Sequence, residues 1–252
     1  MAEEKKSIAL PEVKSVKDLG FKHQKFCMIG AAGIGKSEFF AQDPNVLFID
    51  LEGNIKHLEG IYKVEARSWD DLRNIYNLLF HKSQEGNFPY SNIVFDTIDR
   101  VCDFAAEEVI ENARNFYKNA TNPINTIGDV PEGNGWAKWS QSVMGLMNKM
   151  QCLPCAITFI GHLKTKTVKE EGRTYDKHTI SIAGNLGIQL LAWANHIMYV
   201  ESYMLGDQLR RRVRTRPSQS IEAKSHGGTI PDNWVWGNSP KENFDYFRKL
   251  FV

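Results

Sequence analysis

Several absences narrow the field before any motif is read. The 252-residue chain has no run of about 18 apolar residues, so no membrane-spanning helix and no membrane partner are expected. The opening MAEEKKSIALPEVKS lacks an apolar core of signal-peptide length, which points to the cytoplasm. Net charge is only +1, from 31 Lys and Arg against 30 Asp and Glu, so no basic field covers the whole molecule. Any nucleic-acid contact must come from local clusters. Cysteines number four. Cys27 and Cys102 lie among apolar residues and read as small core residues. Cys152 and Cys155 have CxxC spacing, but no second close pair of Cys or His ligands accompanies them, which argues against structural zinc. They lead into a strand-like CAITFIG rather than heading a helix, which argues against a redox pair. Repeats and low-complexity tracts are missing too, so solenoid and compositionally biased architectures drop out.

What is there is an ordinary globular composition, 42% hydrophobic and 24% charged, of a length that suits one α/β domain. Residues 1–23 read as a polar leader and 24–252 as a single domain. Buried strands are predicted at 25–30 (KFCMIG), 46–50 (VLFID), 92–96 (NIVFD) and 155–161 (CAITFIG). Between them, 68–83 reads as an amphipathic helix. Ser68 is its N-cap, and Leu72, Ile75, Tyr76, Leu79 and Phe80 share one face. Further helices are expected at 99–118, 136–151, 185–194 and 240–251, the last with Pro240 near its start. Residues 119–135 read as a loop. Residues 163–180 are polar and basic without apolar periodicity, and are expected to form a mobile basic loop or loose hairpin. Strands at 195–202, 208–215 and 219–224 form a C-terminal meander within 195–235. This alternation predicts a mainly parallel, twisted sheet with helices on both faces and an antiparallel C-terminal extension.

Gly30, Ala31, Ala32, Gly33, Ile34, Gly35, Lys36 and Ser37 fit G-x-x-x-x-G-K-[ST] in full, directly after a strand and opening a helix. Glycines let the backbone wrap so that consecutive N–H groups face phosphate oxygens, and the helix N-terminus adds partial positive charge. The pattern predicts a bound nucleoside triphosphate, with ATP and Mg²⁺ as the cofactors. Lys36 would bridge the β- and γ-phosphates, Ser37 would ligate the metal, and Glu38 would follow in the first turn. Asp96, ending its buried strand on the side where open α/β sheets bind ligands, is the carboxylate expected to hold the metal through water. Asp99 is a second candidate for that region, or a helix N-cap.

Two segments resemble RecA-like recombinases. FIDLEG (48–53) is similar to their second strand and its acidic residue, so the resemblance implies that Glu52 is the base orienting the attacking water. ITFIGHLK (157–164) looks like the RecA and RadA strand that ends in a γ-phosphate sensor, here His162. In RadA-like proteins a DNA-contacting loop follows, which implies DNA contacts from Lys164, Lys166, Lys169, Arg173 and Lys177. Residues 214–231 are similar to a segment of phage-encoded RecA-like nucleotide-binding proteins, some of which anneal single strands in recombination. There a Lys–acid–Arg run offers cationic fingers to a neighbouring subunit. Lys224 is retained here, but His226 stands at the arginine position.

The resemblance implies an ATPase acting on single-stranded DNA as a homo-oligomeric ring or filament, with a single-strand-binding protein as an accessory partner. Tyr175 is the sole aromatic of the 163–180 segment, so phosphate contacts should outweigh base stacking there. Trp136 and Trp139 are alternative stacking residues. Two other classes stay open: a P-loop small-molecule kinase with 164–178 as its lid, and a helicase-loader or packaging-type motor ATPase.

Overall fold

The computed structural model describes residues 20–118, 122–170 and 172–251. Most of the expected leader, residues 1–19, lies outside them. The first half carries β1 (Lys25–Gly30), α1 (Lys36–Phe40), β2 (Val46–Asp50), β3 (Tyr62–Glu65), α2 (Trp69–Gln84), β4 (Asn92–Asp96), α3 (Ile98–Phe116) and α4 (Asn134–Met150). A long β5 (Ala156–Glu170) then turns back as β6 (Arg173–Ile180) and leads to α5 (Gly184–Trp193). The chain closes with β7 (His196–Leu205), β8 (Gln208–Arg214), β9 (Lys224–Ser225), β10 (Asn233–Val235) and α6 (Pro240–Lys249).

The main sheet runs in the order β10-β8-β7-β1-β5-β4-β2-β3. From β7 to β3 all neighbours are parallel, whereas β8 and β10 are antiparallel additions beyond β7. This is the expected α/β architecture, a mainly parallel sheet with an antiparallel C-terminal extension. Successive side chains of a strand point to opposite faces. Cys27 and Ile29 therefore enter the core under α2, α3, α4 and α5, while Phe26 and Met28 enter the core under α1 and α6. Burial on both faces is why β1, β2 and β4 read as continuous apolar runs.

Local signals behave as their chemistry requires. Ser68 accepts the Asp71 N–H at 3.1 Å and starts α2. Leu72, Ile75 and Leu79 are buried, but Phe80, expected on the same face, is 41% exposed. One sequence expectation is narrowed and one is corrected. Of the two forms expected for residues 163–180, the structure shows the hairpin rather than the mobile loop, and it is regular: β5 and β6 pair antiparallel from Leu163↔Ile180 to Glu170↔Arg173. Thr, Val, Tyr and Ile alternate with charge along it, and strand pairing satisfies its backbone. Residues 219–224 form no full strand. Ile221 makes isolated bridges, and β9 begins only at Lys224. Edge strands β3 and β10 belong to the sheet although no sequence signal marked either.

His196 at the start of β7 is 1% exposed and stacks on Phe26 at 5.4 Å. Its Nε2 lies 3.1 Å from Gln24 Oε1, so it donates there in the neutral form. Burial pushes its pKa from 6.5 down to about 4, with His226 and Lys224 adding to the effect. Between those values the unfolded chain binds a proton that the folded chain refuses. Stability should therefore drop as pH is lowered through this window, by about 1.4 kcal/mol per unit from this group. Urea titrations at pH 7 and pH 5 test it. His196→Gln should show a smaller loss than the native chain, and equal losses would contradict it.

Candidate nucleotide site

The site stands at the carboxyl ends of β1, β2, β4 and β5. Two glycines of the loop after β1 are required by geometry. A Cβ on Gly30 would lie 2.6 Å from the Val200 carbonyl oxygen, and Gly35 has φ of +98°. Among the described residues no acceptor meets the backbone N–H groups from Gly33 to Ser37, so consecutive donors are left for an anion, as at any helix start. Lys36 is buried, and its ammonium donates to the carbonyls of Gly30 at 3.0 Å and Ala31 at 2.9 Å. Burial lowers its pKa, while Asp96, Asp99, Glu38 and Glu52 pull it back up. Glu38 itself lies 3.7 Å from His57 Nε2.

The oxygen ligands meet on the other side of the loop. Ser37 Oγ donates to Asp96 Oδ2 at 2.6 Å, tying α1 to the end of β4. Burial raises the Asp96 pKa, and Glu52 and Asp50 add to that against the Ser37 hydrogen bond and Lys36. A hydroxyl and a carboxylate so placed fit a hard divalent cation such as Mg²⁺. Asp50 pairs in register with Asp96 and is 1% exposed. One of its oxygens accepts the Gly53 N–H at 2.6 Å, and the other, Oδ2, has no partner. Sequence reasoning passed over this second buried carboxylate, although IDLEG places it at a strand end beside Glu52. Glu52 accepts from Thr97 Oγ1 at 2.6 Å and from Asn54 Nδ2 at 3.0 Å, which holds its carboxylate toward the β4 end. His162 pairs with Gly30 across β1 and β5. Asp99 Oδ2 accepts its N–H at 3.1 Å and sits 3.4 Å from its Nδ1. Asp99 is thus the partner of His162, while the N-cap position of α3 is occupied by Thr97.

Over residues 22–226 the chain matches the family model of an AAA domain, a range that runs from just before β1 through β9. It therefore belongs to this AAA-domain family of P-loop ATPases. Among solved structures it is similar to the KaiC-like protein PH0186 of the hyperthermophilic archaeon Pyrococcus horikoshii OT3, at 12% identity and a TM-score of 0.48, over 87% of this chain and 88% of that one. No curated protein matches the sequence.

Not every expected residue joins the AAA-domain site. Lys224 pairs with Ile197, level with Cys27 and well short of the loop. Its ammonium donates to the carbonyls of Leu191 and Ala192 at 3.4 and 3.1 Å and to that of Ala194 at 2.5 Å. A cation there satisfies the orphan carbonyls ending α5, so Lys224 is not part of this chain's own nucleotide pocket. Trp139 is core, with its indole N–H on the Cys102 carbonyl at 2.7 Å, whereas Trp136 is 51% exposed. Cys155 is buried, its thiol pushed up to about 12, and Cys152 donates weakly to the Asn148 carbonyl. Burial thus keeps Cys155 in the unreactive thiol form.

The β5–β6 register sorts the basic residues in a way that sequence could not. Lys166 lies directly opposite Lys177, and Lys164 opposite Thr179. By alternation Lys164, Lys166, Arg173, Tyr175 and Lys177 share one face with Glu170, while Lys169 falls on the other. Lys177 is further tied to Glu222 at 2.7 Å, and Tyr175 donates to Glu170 at 2.7 Å.

Proposed function

We propose that this AAA-domain chain binds Mg·ATP, hydrolyses it, and uses the cycle to change its grip on single-stranded DNA, as in phage-type annealing or recombination. One observation carries the reading. β5 bears His162 beside the phosphate loop and continues without interruption into the hairpin that carries the lysines. A shift at the strand end would reach the hairpin through a single rigid element.

Roles follow from chemistry. Lys36 and the N–H groups of residues 33–37 would hold the phosphates, Ser37 and Asp96 the metal, and Glu52 the attacking water. When bound, Mg²⁺ would supply neutralisation of the phosphate charge. His162, held by Asp99, would contact the γ-phosphate end. Self-assembly into a ring or filament would place a neighbouring subunit at this edge, and a single-strand-binding protein would deliver the DNA. A host cytoplasm is the matching compartment.

The DNA step is tested by salt dependence. Each phosphate contact on a single strand contributes about 0.7 to the slope of log K against log salt. Lys164→Ala with Lys166→Ala, which share the Tyr175 face, should weaken anisotropy-measured binding and flatten the slope by about 1.4. Lys169→Ala should do much less. Failure of the native protein to bind a labelled strand, with and without an ATP analogue, would remove DNA from the reading and turn it toward a kinase or a loader.

A further inference from the structure

The sequence holds five arginines between positions 210 and 216, and the structure separates Arg211 from the other four. Arg212 and Arg214 lie on Glu201 at 2.6 and 3.7 Å, Arg216 is 3.5 Å from Asp232, and Arg210 donates to Gln208 and Asn238. Each of the four is thus engaged away from the phosphate loop, and the exposed Arg216 pair is of small energetic weight. Arg211 has no carboxylate partner among the described residues. It shares a strand face with Val213, which packs in the core of α1.

The register puts it at the site. Val200 of β7 pairs with Gly30, and two residues further on Ser202 pairs with Arg211. Arg211 therefore stands level with a point just past the carboxyl end of β1, beside the phosphate loop. Its Nη1 donates to the Ile34 carbonyl at 3.1 Å, and a Cβ on Gly35 would lie 2.7 Å from that nitrogen. Trp236 fixes it from behind. The Trp236 N–H donates to the Arg211 carbonyl at 2.9 Å, and its ring lies 5.8 Å from the guanidinium carbon. The same ring stacks at 5.2 Å on Phe39 of α1. Strand, loop and helix thus hold one guanidinium in place.

The Ile34–Gly35 peptide is trans, so its C=O and N–H point in opposite directions. A cation on the carbonyl fixes that plane and polarises the N–H on its far side, and the Gly35 N–H has no acceptor among the described residues. We propose that Arg211 is a positioning residue of the phosphate cradle, acting in cis through the Ile34–Gly35 peptide to aim the Gly35 N–H at a phosphate group of a nucleoside di- or triphosphate. This deepens the nucleotide reading above and rests on it.

The test titrates methylanthraniloyl-ADP into the native protein, Arg211→Ala and Arg211→Lys, with thermal melting of each without nucleotide. Losing one charge-assisted contact should weaken Arg211→Ala about tenfold, with Lys recovering part of it. The unliganded variants should melt close to the native protein. In turnover, KM should rise with kcat unchanged, because the cradle holds ground and transition states alike. Native affinity in Arg211→Ala overturns the proposal. So does joint loss of binding by both variants together with early melting, the mark of a merely structural residue. If the native protein itself binds no nucleotide, the nucleotide reading falls first, and that failure is visible before any variant is compared.

Discussion

Lys36→Ala should lose nucleotide binding by at least about a hundredfold, with turnover falling to background. Its ammonium now lies on the carbonyls of Gly30 and Ala31, the two residues that open the loop. From there a short rotation of its outer bonds carries it over the cradle. Hydrogen bonds to a charged group contribute about 1.5–3 kcal/mol each, so losing two phosphate contacts costs roughly two to four orders of magnitude. The positive charge is itself secured by its surroundings. Burial works against it, but Asp96, Asp99, Glu38 and Glu52 all favour the protonated form. Calorimetric titration with ATP, alongside phosphate release, reads both effects. Normal hydrolysis by Lys36→Ala would sink the whole site assignment. Arginine should rescue poorly, because a planar fork does not replace a compact ammonium against two converging carbonyls.

Residues 30–37 and Asp96 were legible because their signals are local: a glycine pattern between strand and helix, and an acid ending an apolar run. The same holds for α2, where a capping serine and a 3.6-residue period agree. What escaped depends on pairing between distant segments. β3 is Tyr62–Glu65, with no buried residue along it, so no alternation announces it; parallel bonds to β2 create it. The β5–β6 hairpin is polar on both faces, and its regularity comes from backbone pairing that composition conceals. Arg211 reaches the loop only because the Gly206–Asp207 turn sets Leu205 opposite Gln208, so that Arg211 falls opposite Ser202. Lys224 shows the converse. Its assignment as a finger came from a resemblance in sequence, and its contacts are decided by where α5 happens to end.

Glu52→Gln separates binding from chemistry. The carboxylate accepts from Thr97 Oγ1 and Asn54 Nδ2. An amide of the same shape keeps the Thr97 bond through its oxygen. Its NH₂ would meet the Asn54 donor, which must turn away, a surface adjustment because Asn54 is exposed. What the amide cannot do is accept a proton from water. Nucleotide affinity should therefore stay within a few fold of native. It could even improve, since Glu52 stands among the negative neighbours that raise the Asp96 pKa, and removing that charge leaves Asp96 more readily ionised for the metal. Loss of a general base costs about 10²–10⁴ in rate, so kcat should fall by that factor with KM little changed. Both quantities are measured on one preparation, by phosphate release and fluorescent-nucleotide titration. A native kcat would return Glu52 to the status of a surface carboxylate. Asp50, buried beside it with one oxygen unpartnered, would then be the group to test next.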